Sequence, residues 1–295
     1  MTSAEELKKV VREKYSEIAT SDKVANATSC CGATASGTYT IMSDSYADLE
    51  GYNPDADLGL GCGLPTQFAK IQPGDTVLDL GSGAGNDCFV ARAEAGETGK
   101  VIGVDFTPKM IQLARQNAEK RGFNNVEFRQ GDIEELPVTD NSVDVVVSNC
   151  VLNLVPDKAK VFGEIMRVLR PGGHFSISDV VLRGDLPKKL QDAAEMYAGC
   201  VSGAMQMDEY LAIIEQAGFE KSTVQKQKPI LIPDEILLEY LSSDELKAFA
   251  ASKTGIFSIT VYAEKAGSTK EHRAAKPKLN LADLPTAGCC GPGCC

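Results

Sequence analysis

Apolar positions recur at helical spacing in residues 4–19. There Leu7, Val10, Val11, Tyr15 and Ile18 mark one face of an expected amphipathic helix. Residues 20–65 are rich in Gly, Ser, Ala and Asp and read as loops and short pieces. From residue 74 short apolar runs alternate with longer amphipathic stretches. Thr76–Leu80, Lys100–Asp105, Val126–Arg129, Val143–Ser148 and His174–Asp179 read as strands. One helix is expected to begin at Thr107, with Pro108 in its first turn, and another to run from Asp157 to Leu169 and stop at Pro171-Gly172-Gly173. This alternation predicts an α/β fold with a mostly parallel sheet and helices on both faces.

Beyond residue 185 the alternation loosens. Leu186–Cys200, Asp208–Ala217 and Ile236–Ser252 are expected helices, the second closed by Gly218, and Ile256–Glu264 alternates like a strand. Four regions follow: a helix and cysteine-containing loop region at 1–65, the α/β unit at 66–185, a smaller appended α+β region at 186–265, and a flexible tail at 266–295. The tail ends Cys289-Cys290-Gly291-Pro292-Gly293-Cys294-Cys295.

Charge narrows the partners. With 30 basic and 41 acidic residues the net charge is −11, so a nucleic-acid partner is not expected. No apolar run approaches the roughly 18 residues of a membrane helix. Met1–Glu6 lacks the basic-then-apolar form of a signal peptide, so a cytoplasmic location is expected. Ten cysteines are then unexpected, because cytosolic thiols stay reduced. They read as soft ligands, redox groups or small core residues.

The strongest local motif is Val77-Leu78-Asp79-Leu80-Gly81-Ser82-Gly83-Ala84-Gly85. Glycines directly after a strand let backbone approach a ligand closely, and the next helix N-terminus favours a negative group. Asp105, at the end of the next strand, suits a ribose diol. A dinucleotide site prefers G-x-G-x-x-G, and Asn86 breaks that spacing. The form D-x-G-x-G-x-G instead resembles motif I of class I, Rossmann-like methyltransferases, which bind S-adenosylmethionine over a seven-stranded sheet. Gly131-Asp132-Ile133, where adenine would lie, Asn149 after the fourth strand, and Pro171-Gly172-Gly173 extend that resemblance.

Cys150 follows the fourth strand, Cys62 lies in Gly59-Leu60-Gly61-Cys62-Gly63-Leu64-Pro65, and Cys200 ends an expected helix. Strand ends carry the ligand sites of open α/β sheets, so these thiols can converge there. Structural zinc usually has paired C-x₂₋₄-C ligands, which these isolated positions lack. Pyramidal trivalent arsenic suits three sulfurs, and its lone pair points away from them toward an electrophile. Each cysteine alone also suits core packing, the reading taken for Cys88. His174 reads as a strand residue, Met196, Met205 and Met207 as packing, and Glu134-Glu135 as a solvated turn.

The blocks GLGCGLP, VLDLGSGAGNDCF, VIGVDFTPKM, SNCVLNL and YAGCVSGA resemble those of microbial arsenite methyltransferases between about residues 5 and 225. That resemblance implies Cys150 and Cys200 as the minimal arsenic pair and Cys62 as third ligand and redox partner. It implies that Cys30 or Cys31 joins a disulfide cycle restored by glutathione or thioredoxin. It also implies cofactor contacts at Asp79, Gly81, Gly83, Gly85, Asp105, Phe106, Asp132, Ile133 and Asn149. The substrate would be a small trivalent arsenic–thiol complex. The alternatives are a C- or O-methyltransferase for a small quinone precursor and a metalloid-binding protein led by the terminal cysteines.

Overall fold

Val77, Leu78 and Leu80 are buried because β1 (Thr76–Leu80) runs through the middle of a sheet covered on both faces. Leu78 and Leu80 pack into one apolar cluster and Val77 into another. A strand hidden on both sides carries apolar residues on both faces, and the one charge in it, Asp79, is itself buried. The computed structural model describes residues 4–20, 44–184, 203–230, 234–251 and 254–267.

Around β1 lie β2 (Lys100–Asp105), β3 (Val126–Gln130), β4 (Val143–Asn149) and β5 (Leu169–Arg183), paired in parallel. Two longer strands, β6 (Phe219–Ile230) and β7 (Gly255–Lys265), complete the sheet. Its order is β3-β2-β1-β4-β5-β7-β6, and β7 runs antiparallel to both neighbours. The expected α/β fold with a seven-stranded, mostly parallel sheet is therefore present. The stretch 186–265 supplies the last two strands of this same sheet.

Helices α2 (Asn86–Ala95) and α3 (Pro108–Lys120) bury Phe89, Ala91, Ile111 and Ala114 against one face. Helices α4 (Lys158–Val168) and α5 (Met207–Gln216) bury Phe162, Ile165, Tyr210 and Ile214 against the other. Asp157 caps α4 by accepting the Lys160 N–H at 3.0 Å. Phe162 anchors this layer, with ring centroids 5.7 Å from both Phe175 and Tyr210 and 6.4 Å from Phe219. Helix α1 (Ala4–Ile18) lies against α3, and α6 (Asp234–Tyr240) and α7 (Ser243–Ala251) precede β7.

Several expectations need correction. Val10, assigned to the apolar face of α1, is 49% exposed, while Val11 and Ile18 are buried. Thr107 precedes α3 as expected, but its hydroxyl makes no capping bond. The helix expected over 236–252 is two helices. Ser242 Oγ accepts the Glu245 N–H at 3.3 Å and the Glu245 carboxylate accepts the Ser242 N–H at 2.8 Å. That capping box starts a new helix and breaks the old one. The strand expected at 174–179 runs from Leu169 to Arg183, with a register shift where Pro171-Gly172-Gly173 lies. Glu134, read as a solvated turn residue, is only 6% exposed. The expected helix 186–200 and the tail beyond residue 267 lie outside the described residues.

Truncating Phe162 would leave a void between α4 and the sheet. Phe162→Ala should lower stability by about 3–5 kcal/mol, read as a shift in the urea midpoint at unchanged slope.

Candidate functional site

A cavity opens where the carboxyl ends of β1, β2 and β4 meet, the usual ligand position in an open α/β sheet. Gly81, Ser82 and Gly83 form its floor, directly after β1. Asp105 and Phe106 enter from the end of β2, Asp132 and Ile133 from the turn after β3, and Asn149 and Cys150 from the end of β4. Lys8, Val11 and Tyr15 of α1 also line it.

Asp105 holds the floor in shape. Its Oδ2 accepts the Gly83 N–H at 3.0 Å and its Oδ1 the Thr107 N–H at 2.8 Å. Burial raises its carboxyl above the usual range, and those two bonds work in the other direction. Asp79 and Gly85 do not line the cavity. Gly85 sits at the N-terminus of α2 with φ 99°, and Asp79 lies beneath the loop, where its Oδ2 accepts the Cys88 thiol at 3.2 Å. Burial, then the charge of Asp87, raises the Asp79 carboxyl well above its ordinary value. Cys88 is a buried residue of the core beside this carboxyl, as its packing assignment anticipates.

Asn149 joins the strand end to the Cys62 segment. Its Oδ1 accepts the N–H groups of Cys62 at 3.0 Å and Gly63 at 3.3 Å, and its Nδ2 donates to Gly63 O at 2.8 Å. Gly61 and Gly63 make this approach possible. A Cβ on Gly61 would fall 2.5 Å from Asn149 Nδ2, and one on Gly63 would fall 2.6 Å from Ser178 Oγ. Cys62 and Cys150 consequently share one apolar cluster with Leu154, Val180 and Ile256. Cys150 lies on the cavity wall and Cys62 behind it. Cys150 has φ 61°, a left-handed conformation that few side-chain-bearing residues adopt. Its N–H is held by Ser178 O at 2.8 Å. Among the described residues no three His, Cys, Asp or Glu side chains form a metal-holding group. Cys30, Cys31 and Cys200 lie outside the described residues.

Sequence reasoning missed a polar group at the same wall. The Tyr46 hydroxyl donates to Asp87 at 2.8 Å, and Asn149 Nδ2 reaches both Tyr46 and Asp87. Burial raises the Asp87 carboxyl to about 6, against the bonds from Tyr46 and Asn149, with the charge of Asp57 adding to the rise. The one signal for Asp87 is its place two residues after the last glycine of the loop, in the first turn of a helix. Tyr46 stands in the irregular stretch before residue 65 and carries none.

The profile of a family described as a methyltransferase domain matches residues 71–218, half of the chain, including the glycine loop and β1 to β5. The chain belongs to that methyltransferase family. An arsenite methyltransferase of Halobacterium salinarum is 49% identical over 231 residues, covering 73% of this chain and 58% of the relative. Another, from Aquipseudomonas alcaligenes, is 40% identical over 188 residues, covering 61% and 54%. The chain thus spans a little over half the length of these curated relatives. The crystal structure of an arsenic(III) S-adenosylmethionine methyltransferase from Chlamydomonas reinhardtii superposes with a TM-score of 0.61. It is 35% identical, with 70% of this chain and 68% of that one covered. Among the described residues of this methyltransferase, no helix is long and apolar enough to cross a membrane.

The raised Asp87 has a consequence for pH. Its carboxyl titrates at about 6 in the folded chain against an ordinary 3.8, so the folded state holds the extra proton between these values. Stability from this group therefore falls as pH rises through that window and is flat above it. Asp87→Asn should flatten this fall, as read from urea midpoints compared at about pH 4.5 and about pH 6.5.

Proposed function

We propose that this chain transfers methyl groups from S-adenosylmethionine to trivalent arsenic held by cysteine thiolates, as a means of detoxification. The observation that carries the reading is Cys150. It follows β4 on the cavity wall, in a left-handed conformation, and packs with Cys62 in one apolar cluster. It is supported by the arsenite methyltransferases of Halobacterium and Aquipseudomonas and the arsenic(III) methyltransferase of Chlamydomonas that the chain resembles.

The residues present fit the cofactor. Ser82 Oγ is buried on the cavity floor without a hydrogen-bond partner among the described residues, and a Cβ on Gly83 would meet only open space. Asp57, Asp87, Asp105 and Asp132 make the lining acidic, which suits a ligand bearing sulfonium and ammonium charges. When bound, S-adenosylmethionine supplies an electrophilic methyl group. Gly81, Gly83, Asp105 and Phe106 would hold it near β1 and β2, and Asp132 and Ile133 would flank its adenine. Asn149 would touch its methionine end, while Asp79 and Gly85 act from beneath through the shape of the loop.

The thiols do the rest. Each As–S bond forms as a thiol proton leaves with an arsenic hydroxyl as water, so no net base is consumed. Cys62, Cys150 and Cys200 are the three ligands in this reading. The apolar cluster around the first two excludes the water that would reverse the bonds. Arsenic donates its own unshared pair, so no proton is removed from it. His174 is not called on, and its ring bonds the Ala69 carbonyl. Return of methylated arsenic to the trivalent state takes two electrons, released as Cys62 and Cys30 or Cys31 join in a disulfide. Glutathione or thioredoxin then reduces that disulfide by exchange in a reducing cytoplasm.

Cys150→Ser and Cys200→Ser should each abolish methylation of arsenite and methylarsenite while calorimetric cofactor binding persists. Labelled-methyl transfer resolved by arsenic speciation reads this, and undiminished turnover would remove that cysteine from the mechanism. Cys62→Ser should slow the first methylation more than the second. Deleting 286–295 should leave turnover at saturating arsenite intact.

A further inference from the structure

Cys150 and Cys62 are 3% and 0% exposed, so neither sulfur can meet arsenic unless something moves. Helix α1 contributes to the apolar cluster that holds them. Val11 packs in their cluster and Tyr15 packs against it. The same helix reaches the opposite end of the cavity, where Lys8 Nζ lies 2.7 Å from Asp132 Oδ2 and also bonds Glu134 Oε2. The Arg12 guanidinium stands over the Phe106 ring, 5.5 Å from its centroid.

The two carboxylates under Lys8 are fixed from below. Asp132 Oδ1 accepts the Glu134 N–H at 2.9 Å, and Glu134 Oε1 accepts the Asp157 N–H at 3.1 Å at the start of α4. The anionic side of the contact therefore belongs to the turn after β3, which these bonds tie to the start of α4. The cationic side belongs to one helix that spans both the thiol end and the Asp132 end. Lys8 is part of the cavity wall, so its ion pair is partly wet and open to screening by salt.

We propose that α1 is the lid of the site and that Lys8 is its latch, a positioning residue whose release from Asp132 and Glu134 opens the thiol cluster and the cavity together. Its consequence for cofactor exchange rests on the function proposed above, whereas its consequence for thiol access does not. One helix closing both ends couples the order of events: arsenic reaches Cys150 and Cys62 only while the cavity is also open.

The full-length, reduced protein is treated with iodoacetamide, and alkylation of Cys62 and Cys150 is followed by peptide-resolved mass spectrometry. Lys8→Met should raise both rates about fivefold, and Glu134→Gln, which keeps an acceptor for the Asp157 N–H, about twofold. Salt at about 0.5 M should speed the wild-type reaction toward the Lys8→Met rate and leave that variant unchanged. Thermal melts establish that each variant is folded. Should Lys8→Met fail to fold, Glu134→Gln and the wild-type salt series decide. Rates equal to wild type in the folded variants, or a wild-type rate indifferent to salt, overturn the latch. In a second arm, S-adenosylhomocysteine should dissociate about fivefold faster from Lys8→Met, with little change in its association rate. Equal dissociation rates overturn the coupling of the two ends. If S-adenosylhomocysteine binds neither protein, the proposed function fails, and the alkylation rates still judge the latch.

Discussion

The carboxamide of Asn149 is the constraint on which the site depends. It uses its oxygen and its nitrogen on one backbone segment, and so fixes Cys62 against the end of β4 beside Cys150. Without it, the N–H groups of Cys62 and Gly63 would lose a partner in a part-buried place, at a cost of about 1–3 kcal/mol each, while the Gly63 carbonyl would keep the Tyr46 hydroxyl at 3.4 Å. The same amide reaches the Tyr46 hydroxyl and Asp87. One side chain thus relates the sulfur cluster to the charged wall of the cavity, although the residues it joins are far apart in the chain.

The left-handed backbone of Cys150 belongs to the same construction. A non-glycine residue at φ 61° costs free energy that its surroundings must impose. Here the Cys150 N–H is held by Ser178 on β5 while Val151 turns away over Gly81. The strand must stop and turn at this point for residue 150 to enter the wall.

Much of the central fold was legible because buried parallel strands carry apolar runs and the glycine loop has fixed spacing. The misreadings follow from physical causes. Strand β6 is an exposed edge whose residues are mostly polar, with Lys226 and Lys228 paired to Asp44, so it lacks the period that marks a half-buried strand. Glu134 looked solvated because nothing local shows that Lys8, more than a hundred residues earlier, closes over it. The break between α6 and α7 was written in Ser242 and Glu245, a capping signal outweighed by the apolar residues on either side. In the site, the strand-end residues were readable by position. Tyr46 was not, because its role arises from tertiary contact alone, and Asp87 showed only its place just after the glycine loop.

The place of β7 bears on how the chain is made. It lies between β5 and β6 although it comes last of the seven strands. A ribosome releasing this polypeptide therefore exposes β5 with one side unpaired until residues 255–265 emerge, and β6 has no neighbour to bond until then. Open strand edges invite pairing with other chains. The lysines along β6 supply charge repulsion during that interval, and β7, last in order among the described strands, closes the sheet from within rather than at its rim.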